Sequence, residues 1–316
     1  MQFMKIIIGG GTGLVGRSLI AELLAAQHDL WVVGRNKEKI NKAFNNHVQA
    51  ITWNEVPLLN PEEFDAIINL TGENISDHRW SSKIKNRLLS SRIDSTKQFV
   101  LWAKNASKKP HLYNASAIGI YGLQKKLVNS SEAYTEESNL NSQENSFSNH
   151  LVSQWEQTAL QGTQYEIPVT IMRFGVVLKQ GEGMLKKLEL PARFGMGAVI
   201  GTGKQPLAWI DHSDLVNAIL FLIAHPEITG PVNLVAPELV SQKTFNKTLA
   251  EVLNKPTFLH IPAWLIQLLL GQMGTELLLS GQSVIPGRLT KNQFDFKYPT
   301  LLYALTKEFK KSQKEN

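Results

Sequence analysis

The chain has 316 residues, which allows one large domain or two of ordinary size, and its 43% hydrophobic and 19% charged residues exclude a disordered composition. It contains no cysteine, which excludes disulfides, zinc–thiolate and iron–sulfur sites and a thiol nucleophile. The net charge of +6 is carried by scattered Lys and Arg with no long basic run, so it reads as a solvated surface and not as a nucleic-acid-binding one.

The N-terminal stretch has one early charge, Lys5, and three isoleucines before the first glycines, too short for a signal peptide. The longest apolar run, Ala263 to Leu270, falls short of the ~20 residues of a membrane span and is interrupted by Gln267. The expectation is a cytoplasmic protein with neither nucleic acid nor membrane as partner.

In chain order, Phe3 to Ile8 reads as a buried parallel strand ending in glycines, and Val15, Leu19 and Leu23 recur at helical spacing. Strands are expected at Leu30 to Val33, Val48 to Trp53, Ala66 to Leu70, Leu112 to Ser116 and Val169 to Phe174. Long helices are expected at Ser81 to Lys104 and Leu151 to Leu160. Alternating strands and helices imply right-handed crossovers and a Rossmann-type, doubly wound α/β fold with a parallel sheet. Asn129 to Asn149 carries six Ser, five Asn and four Glu and reads as an exposed loop. The second half predicts helices at Asp214 to Ala224, Thr244 to Leu253, Ala263 to Leu270 and Glu276 to Leu279, and a strand at Val232 to Val235. A smaller substrate-side lobe is expected over 176–316, after a dinucleotide-binding domain over 1–175, with the strand near 232–235 as a candidate to return to the sheet. The tail from Lys307 to Asn316 is polar and reads as frayed.

Gly10, Gly13 and Gly16 stand at G-x-x-G-x-x-G spacing between the first strand and the first helix. Glycine allows the tight turn and close backbone approach, and the helix N-terminus favours a pyrophosphate, so the loop Gly10, Thr12, Gly13, Leu14, Val15 reads as a dinucleotide cradle. NAD-binding proteins usually place Asp or Glu at the end of the second strand to hold the ribose 2′-hydroxyl. Here the sequence is Val33-Gly34-Arg35-Asn36-Lys37, and Arg35 offers a planar cation for a 2′-phosphate, with Lys37 or Arg17 to assist. The expected cofactor is NADP(H). No metal-ligand spacing and no nucleophile elbow occurs.

These residues resemble the extended short-chain dehydrogenase/reductase superfamily of the nucleotide-sugar epimerase type. The closer similarity is to its atypical epimerase-like branch, some members of which carry a cell-division-inhibitor label. The resemblance runs through Asn69-Leu70-Thr71-Gly72-Glu73-Asn74-Ile75, Arg79-Trp80, Ser91-Arg92, Ala115-Ser116-Ala117-Ile118-Gly119-Ile120-Tyr121-Gly122 and Arg173-Phe174-Gly175. It continues through Trp209-Ile210-Asp211-His212, Gly230 to Leu234, Leu278 to Gln282 and Phe296 to Thr300. It implies that Leu70, Thr71 and Gly72 pass under the adenine-side ribose and phosphates. It implies too that Ala115, Ser116, Arg173 and Phe174 border the nicotinamide.

In that superfamily a Ser, a Tyr and, four residues later, a Lys carry the chemistry. Ser116 matches the Ser, or is a strand-end serine bonding backbone. Anchored on Glu156, Ser148 falls at the Tyr position and Val152 at the Lys position. A serine hydroxyl is a far weaker acid than a phenol, and valine carries no charge. Tyr121 is the nearest alternative proton donor, or else a pocket wall or core residue. Arg92 faces a phosphate or acidic substrate, or braces a loop. Glu73 and His78 read as loop residues, Asp211 and Asp214 as helix caps, and Trp209 as a buried anchor. The apolar residues near Trp264 and Leu268 are core or a homodimer surface. The expectation is an NADP(H)-binding epimerase or oxidoreductase acting on a small-molecule substrate through a non-standard centre of Ser116 and Tyr121. The alternative is an NADP(H)-sensing protein without chemistry.

Overall fold

A computed structural model describes residues 3–140 and 146–310 of the chain. Its elements follow in chain order. The first half has β1 (Lys5–Gly9), α1 (Leu14–Ala25), β2 (Asp29–Gly34), α2 (Lys37–Phe44), β3 (Gln49–Thr52), β4 (Ala66–Asn69), α3 (Ser82–Ala103), β5 (His111–Ala117), α4 (Phe147–Leu160) and β6 (Val169–Phe174). The second half has β7 (Val176–Leu178), α5 (Gly183–Arg193), β8 (Ala198–Ile200), β9 (Trp209–Asp211), α6 (His212–Ala224), β10 (Gly230–Leu234) and α7 (Gln242–Val252). It ends with β11 (Leu259–Ile261), α8 (Ala263–Leu270), α9 (Gln272–Leu277), α10 (Gly287–Lys291) and α11 (Leu301–Lys310). Among the described residues no helix is long and apolar enough to cross a membrane.

Seven parallel strands form the central sheet in the order β10-β6-β5-β4-β1-β2-β3. Strand β1 shows why it is buried on both faces. Ile6 and Ile8 pack with Leu19, Ile20 and Leu23 of α1 and with Leu215 and Ile219 of α6, while Ile7 packs with Phe99, Val100 and Leu112 on the opposite side. The chain leaves β1 toward β2 and β3, then crosses back to β4 on its other flank. The order therefore reverses between β1 and β4, and ligands of such sheets bind beyond the carboxyl ends of the strands at that point. Strand β10 closes the sheet beside β6, with Leu234 in register with Phe174.

Three expectations are corrected. The segment from Asn129 is not a free loop: Tyr134 donates from its amide to Ser283 and accepts from Ile285, Gln124 pairs with Gly281, and the Glu136 carboxylate accepts from the amides of Asn233 and Arg288. Its partners lie about 100 to 160 residues away, so composition alone gave no sign of them. Residues 141–145, within the same stretch, lie outside the described residues, and Phe147 to Asn149 already belong to α4. The tail is likewise held to Lys310: Leu301, Ala304, Leu305 and Phe309 bury one face of α11 against α7, and Lys307 pairs with Asp211 at 3.0 Å. Finally, α9 begins a turn before Glu276.

One buried histidine ties stability to pH. His111 meets Thr170 Oγ1 at 2.8 Å, and Thr170 donates its own proton to the Ile228 carbonyl, so His111 Nε2 carries the hydrogen and donates. Burial depresses the imidazole from 6.5 to about 4. The unfolded chain then binds more protons between these values, so stability is complete above pH 6.5 and falls toward pH 4, by about 3 kcal/mol for a gap of that size. Urea unfolding across this range is expected to show a steeper loss for the wild type than for His111→Gln, and parallel curves refute the assignment.

Candidate functional site

The glycine loop joins the carboxyl end of β1 to α1. Gly10 has φ +77°, and a Cβ there would lie 2.5 Å from the Leu70 carbonyl, so this turn and the end of β4 approach as only glycine permits. A Cβ on Gly16 would lie 2.6 Å from the carbonyls of both Gly10 and Gly11, so glycine also seats α1 against the loop. No side chain caps α1, whose first turn follows Gly13 directly. Its leading amides and the positive end of its dipole thus stand at the reversal point of the sheet, beside Thr12, Leu14 and Val15. This donor set suits a pyrophosphate. At the head of α5, a Cβ added to Gly183 would lie 3.7 Å from the Leu14 side chain, so the second half passes close to the loop there.

The three cations near the end of β2 are not equivalent. Lys37 is bound to Glu55, and this ammonium, with the amide and hydroxyl of Thr52, holds the Glu55 carboxyl down at about 2. Arg17 is bound to Glu182 at 2.6 Å and to the Thr12 carbonyl. Arg35 is exposed and makes no hydrogen bond or ion pair among the described residues. The Asn36 side chain caps α2 by accepting from the Lys39 amide.

Under the reversal point, Gly9, Asn69 and Asn114 are register partners across β1, β4 and β5. Asn69 donates to Asn114 at 2.7 Å and to Thr96 at 2.8 Å, and its carbonyl oxygen accepts from the amide of Thr71. The Thr71 hydroxyl meets Asn69 and Ser95, so the turn Leu70-Thr71-Gly72 is fixed from below. Arg92 closes it from the side. Its guanidinium lies against Gly72, donates to the carbonyls of Leu88 and Glu73 at 3.0 and 2.9 Å, and stacks over Trp155. Burial lowers Arg92 to about 10. These contacts make Arg92 a brace of the loop. Glu73 pairs with Arg87, and His78 is exposed.

A second row crosses the sheet one step further: Ser116, Arg173 and Asn233 are register partners on β5, β6 and β10. Their side chains converge with two others in one buried network. Ser116 donates to Glu156 at 2.6 Å, Arg173 holds both oxygens of Glu156 at 2.9 and 2.8 Å, and its third nitrogen donates to the Tyr121 hydroxyl at 2.8 Å. Tyr121 donates in turn to Asn233 at 2.8 Å. Burial opposes the charge on Arg173, but its bonds to Glu156 outweigh that and raise its pKa. Burial also pushes the Tyr121 phenol up, only partly offset by Arg173 and Asn233, so its proton is firmly held. Ala115 is buried and Phe174 partly so at the same edge.

Helix α4 presents Ser148, Val152 and Glu156 at four-residue steps, all buried. Val152 packs with Ile118 and Tyr121. The Ser148 hydroxyl donates to Glu276 of α9 at 2.7 Å, and the same carboxylate accepts from the amides of Phe147 and Ser148 at 3.0 and 2.8 Å. Glu276 and Asn233 are the site residues that sequence reasoning missed. Asn233 lay inside a recognised motif, but nothing local marks Glu276 as a partner of α4. Asp211 caps α6, and Asp214 accepts from the amides of Lys297 and Tyr298, tying the tail motif to that helix. Trp209 is fully buried.

Residues 6–234 match the profile of the NAD dependent epimerase/dehydratase family, and residues 261–308 match a domain of unknown function, DUF1731. An epimerase family protein of Staphylococcus aureus is 34% identical over 95% of this chain and 97% of its own length. The epimerase family protein YfhF of Bacillus subtilis is 33% identical over 96% and 97%. The human epimerase family protein SDR39U1, solved with NADPH, superposes with a TM-score of 0.84 at 28% identity, over 97% of this chain and 99% of that one. With the glycine loop at the reversal point of the sheet and these full-length similarities, the chain belongs to the NAD dependent epimerase/dehydratase family.

Proposed function

We propose that the chain binds NADP(H) and acts in the cytoplasm as an epimerase- or oxidoreductase-type enzyme on a small-molecule substrate. The observation that carries the cofactor is Arg35, an exposed cation without a partner among the described residues at the end of β2, where no carboxylate stands to hold a free 2′-hydroxyl. The human relative solved with NADPH supports the same choice. Gly10, Thr12, Gly13, Leu14 and Val15 would hold the pyrophosphate, Arg35 the 2′-phosphate, and Leu70, Thr71 and Gly72 the adenine side, with Ser116 and Phe174 near the nicotinamide. When bound, the cofactor supplies or accepts a hydride. Ser116 spends its proton on Glu156, so toward a ligand it offers lone pairs and accepts. Arg173 and Tyr121 act from beneath as positioning residues, since their polar groups are turned to Glu156 and Asn233. That commitment of Ser116 also favours a second reading, an NADP(H) sensor without turnover.

Titration of NADPH and NADH on the wild type and on Arg35→Ala tests the cofactor. Loss of a charge-assisted contact to the 2′-phosphate is expected to weaken NADPH by roughly 10- to 100-fold and to leave NADH within about twofold. Equal affinity of the wild type for both cofactors would sink the assignment.

A further inference from the structure

Glu276 belongs to the C-terminal segment of unknown function, yet its carboxylate lies at the head of α4 in the cofactor-binding half. It is only 5% exposed. Its oxygens accept from two backbone amides, from the Ser148 hydroxyl and, at 2.7 Å, from the Gln272 amide. Among the described residues the nearby charges do not bond it. Lys85 of α3 donates to Gln272 and lies over the Phe147 ring, Arg79 lies against Gly271, and His150 is exposed on α4. Ser148 is 6% exposed and donates to Glu276, and its oxygen accepts no hydrogen bond among the described residues, so its lone pairs have no donor there. It sits beside Gly119, just after the strand end that carries Ser116. Four residues on stands Val152, so no buried cation is present there to assist a phenol.

We propose that Ser148 and Glu276 form a two-membered proton relay, and that delivering this carboxylate is a task of the C-terminal segment. The proposal rests on the NADP(H) reading above. In the oxidative direction, an alcohol O–H gives its proton to Ser148 Oγ as Ser148 gives its own to Glu276, while the carbon-bound hydride leaves to NADP+. Reduction runs in reverse: the hydride from NADPH forms the new C–H bond, Ser148 protonates the oxygen, and the carboxyl group restores Ser148. A carboxylate relay needs no neighbouring lysine, which agrees with valine at position 152.

The clean test is Ser148→Ala, which keeps both amide bonds to Glu276 and removes only the hydroxyl. With NADPH and a panel of ketones, aldehydes and α-diketones, kcat is expected to fall at least about 100-fold with NADPH affinity unchanged. Ser148→Thr is expected to restore activity, and the solvent deuterium isotope effect of the wild type to disappear in Ser148→Ala. Without cofactor, the amide proton resonances of Phe147 and Ser148 report their bonds to the Glu276 carboxylate. They are expected to stay in place in Ser148→Ala and to move in Glu276→Gln. Unchanged kcat in Ser148→Ala, or amide resonances displaced as far in Ser148→Ala as in Glu276→Gln, overturns the relay. A wild type that binds NADPH but reduces nothing in the panel also overturns it and leaves cofactor binding standing, whereas absent NADPH binding overturns the reading beneath.

Discussion

Truncating Glu156 to alanine is expected to cost the fold about 3–5 kcal/mol, among the largest single-residue effects in the chain. The reason is what remains. The Arg173 side chain is 4% exposed, and without its carboxylate it becomes a buried cation whose nearest polar neighbours are neutral. Ser116 loses its acceptor at the same time. Removing both charges is less harmful than removing one, because an apolar pair of similar volume leaves no uncompensated ion. The double variant Glu156→Leu with Arg173→Met should therefore recover much of the loss in urea unfolding, although Tyr121, which donates to Asn233, loses the Arg173 donor that orients it. A single-variant loss below about 1 kcal/mol would mean that water reaches this network and that the pair is no stronger than one at the surface.

The three spaced glycines should separate into two kinds. Gly10→Ala combines a left-handed backbone, costing about 1–2 kcal/mol for a residue with a Cβ, with a collision against the Leu70 carbonyl. Gly16→Ala forces α1 off the loop carbonyls. Both are expected to lower the unfolding midpoint and to weaken NADPH binding by at least 100-fold, ~2.7 kcal/mol. Gly13 is exposed, has an ordinary negative φ of −77°, and an added Cβ meets only the Gly10 carbonyl at 3.2 Å. Gly13→Ala should keep the wild-type midpoint and lose affinity alone, because its methyl group projects where a phosphate must approach. Unfolding and NADPH titration of the three variants decide this, and equal destabilisation by all three would contradict it.

The spacing pattern made those glycines look alike, and only the loop geometry ranks them. What was legible in the sequence was local. The isoleucine run of β1, the helical spacing of α1, the span of α3 and the missing carboxylate after β2 each involve neighbours in the chain. In α11 the pattern exists, with Leu301, Ala304, Leu305 and Phe309 on one face, but the charged residues around them read as a frayed end. In α5 a glycine at the start and Pro191 near the end masked the helix. Other features left no local trace. The pairing of Tyr134 with the segment near Val284 and the seating of Glu276 on Ser148 depend on residues more than a hundred positions apart. For this reason Ser116 and Glu156, 40 residues apart, could both be placed from the motif, whereas Glu276, the distant partner of Ser148, could not.

The seventh strand has a consequence for synthesis on the ribosome. Strand β10 fills the flank of β6 only after the intervening 175–229 have been made, and that stretch also contains α6, which covers α1. A nascent chain that has emerged only through β6 therefore holds an open strand edge and an uncovered apolar helix face, both of which invite pairing with other chains. Sheet completion must wait for more than fifty further residues, so pauses in translation between β6 and β10 should be the interval of greatest chaperone demand.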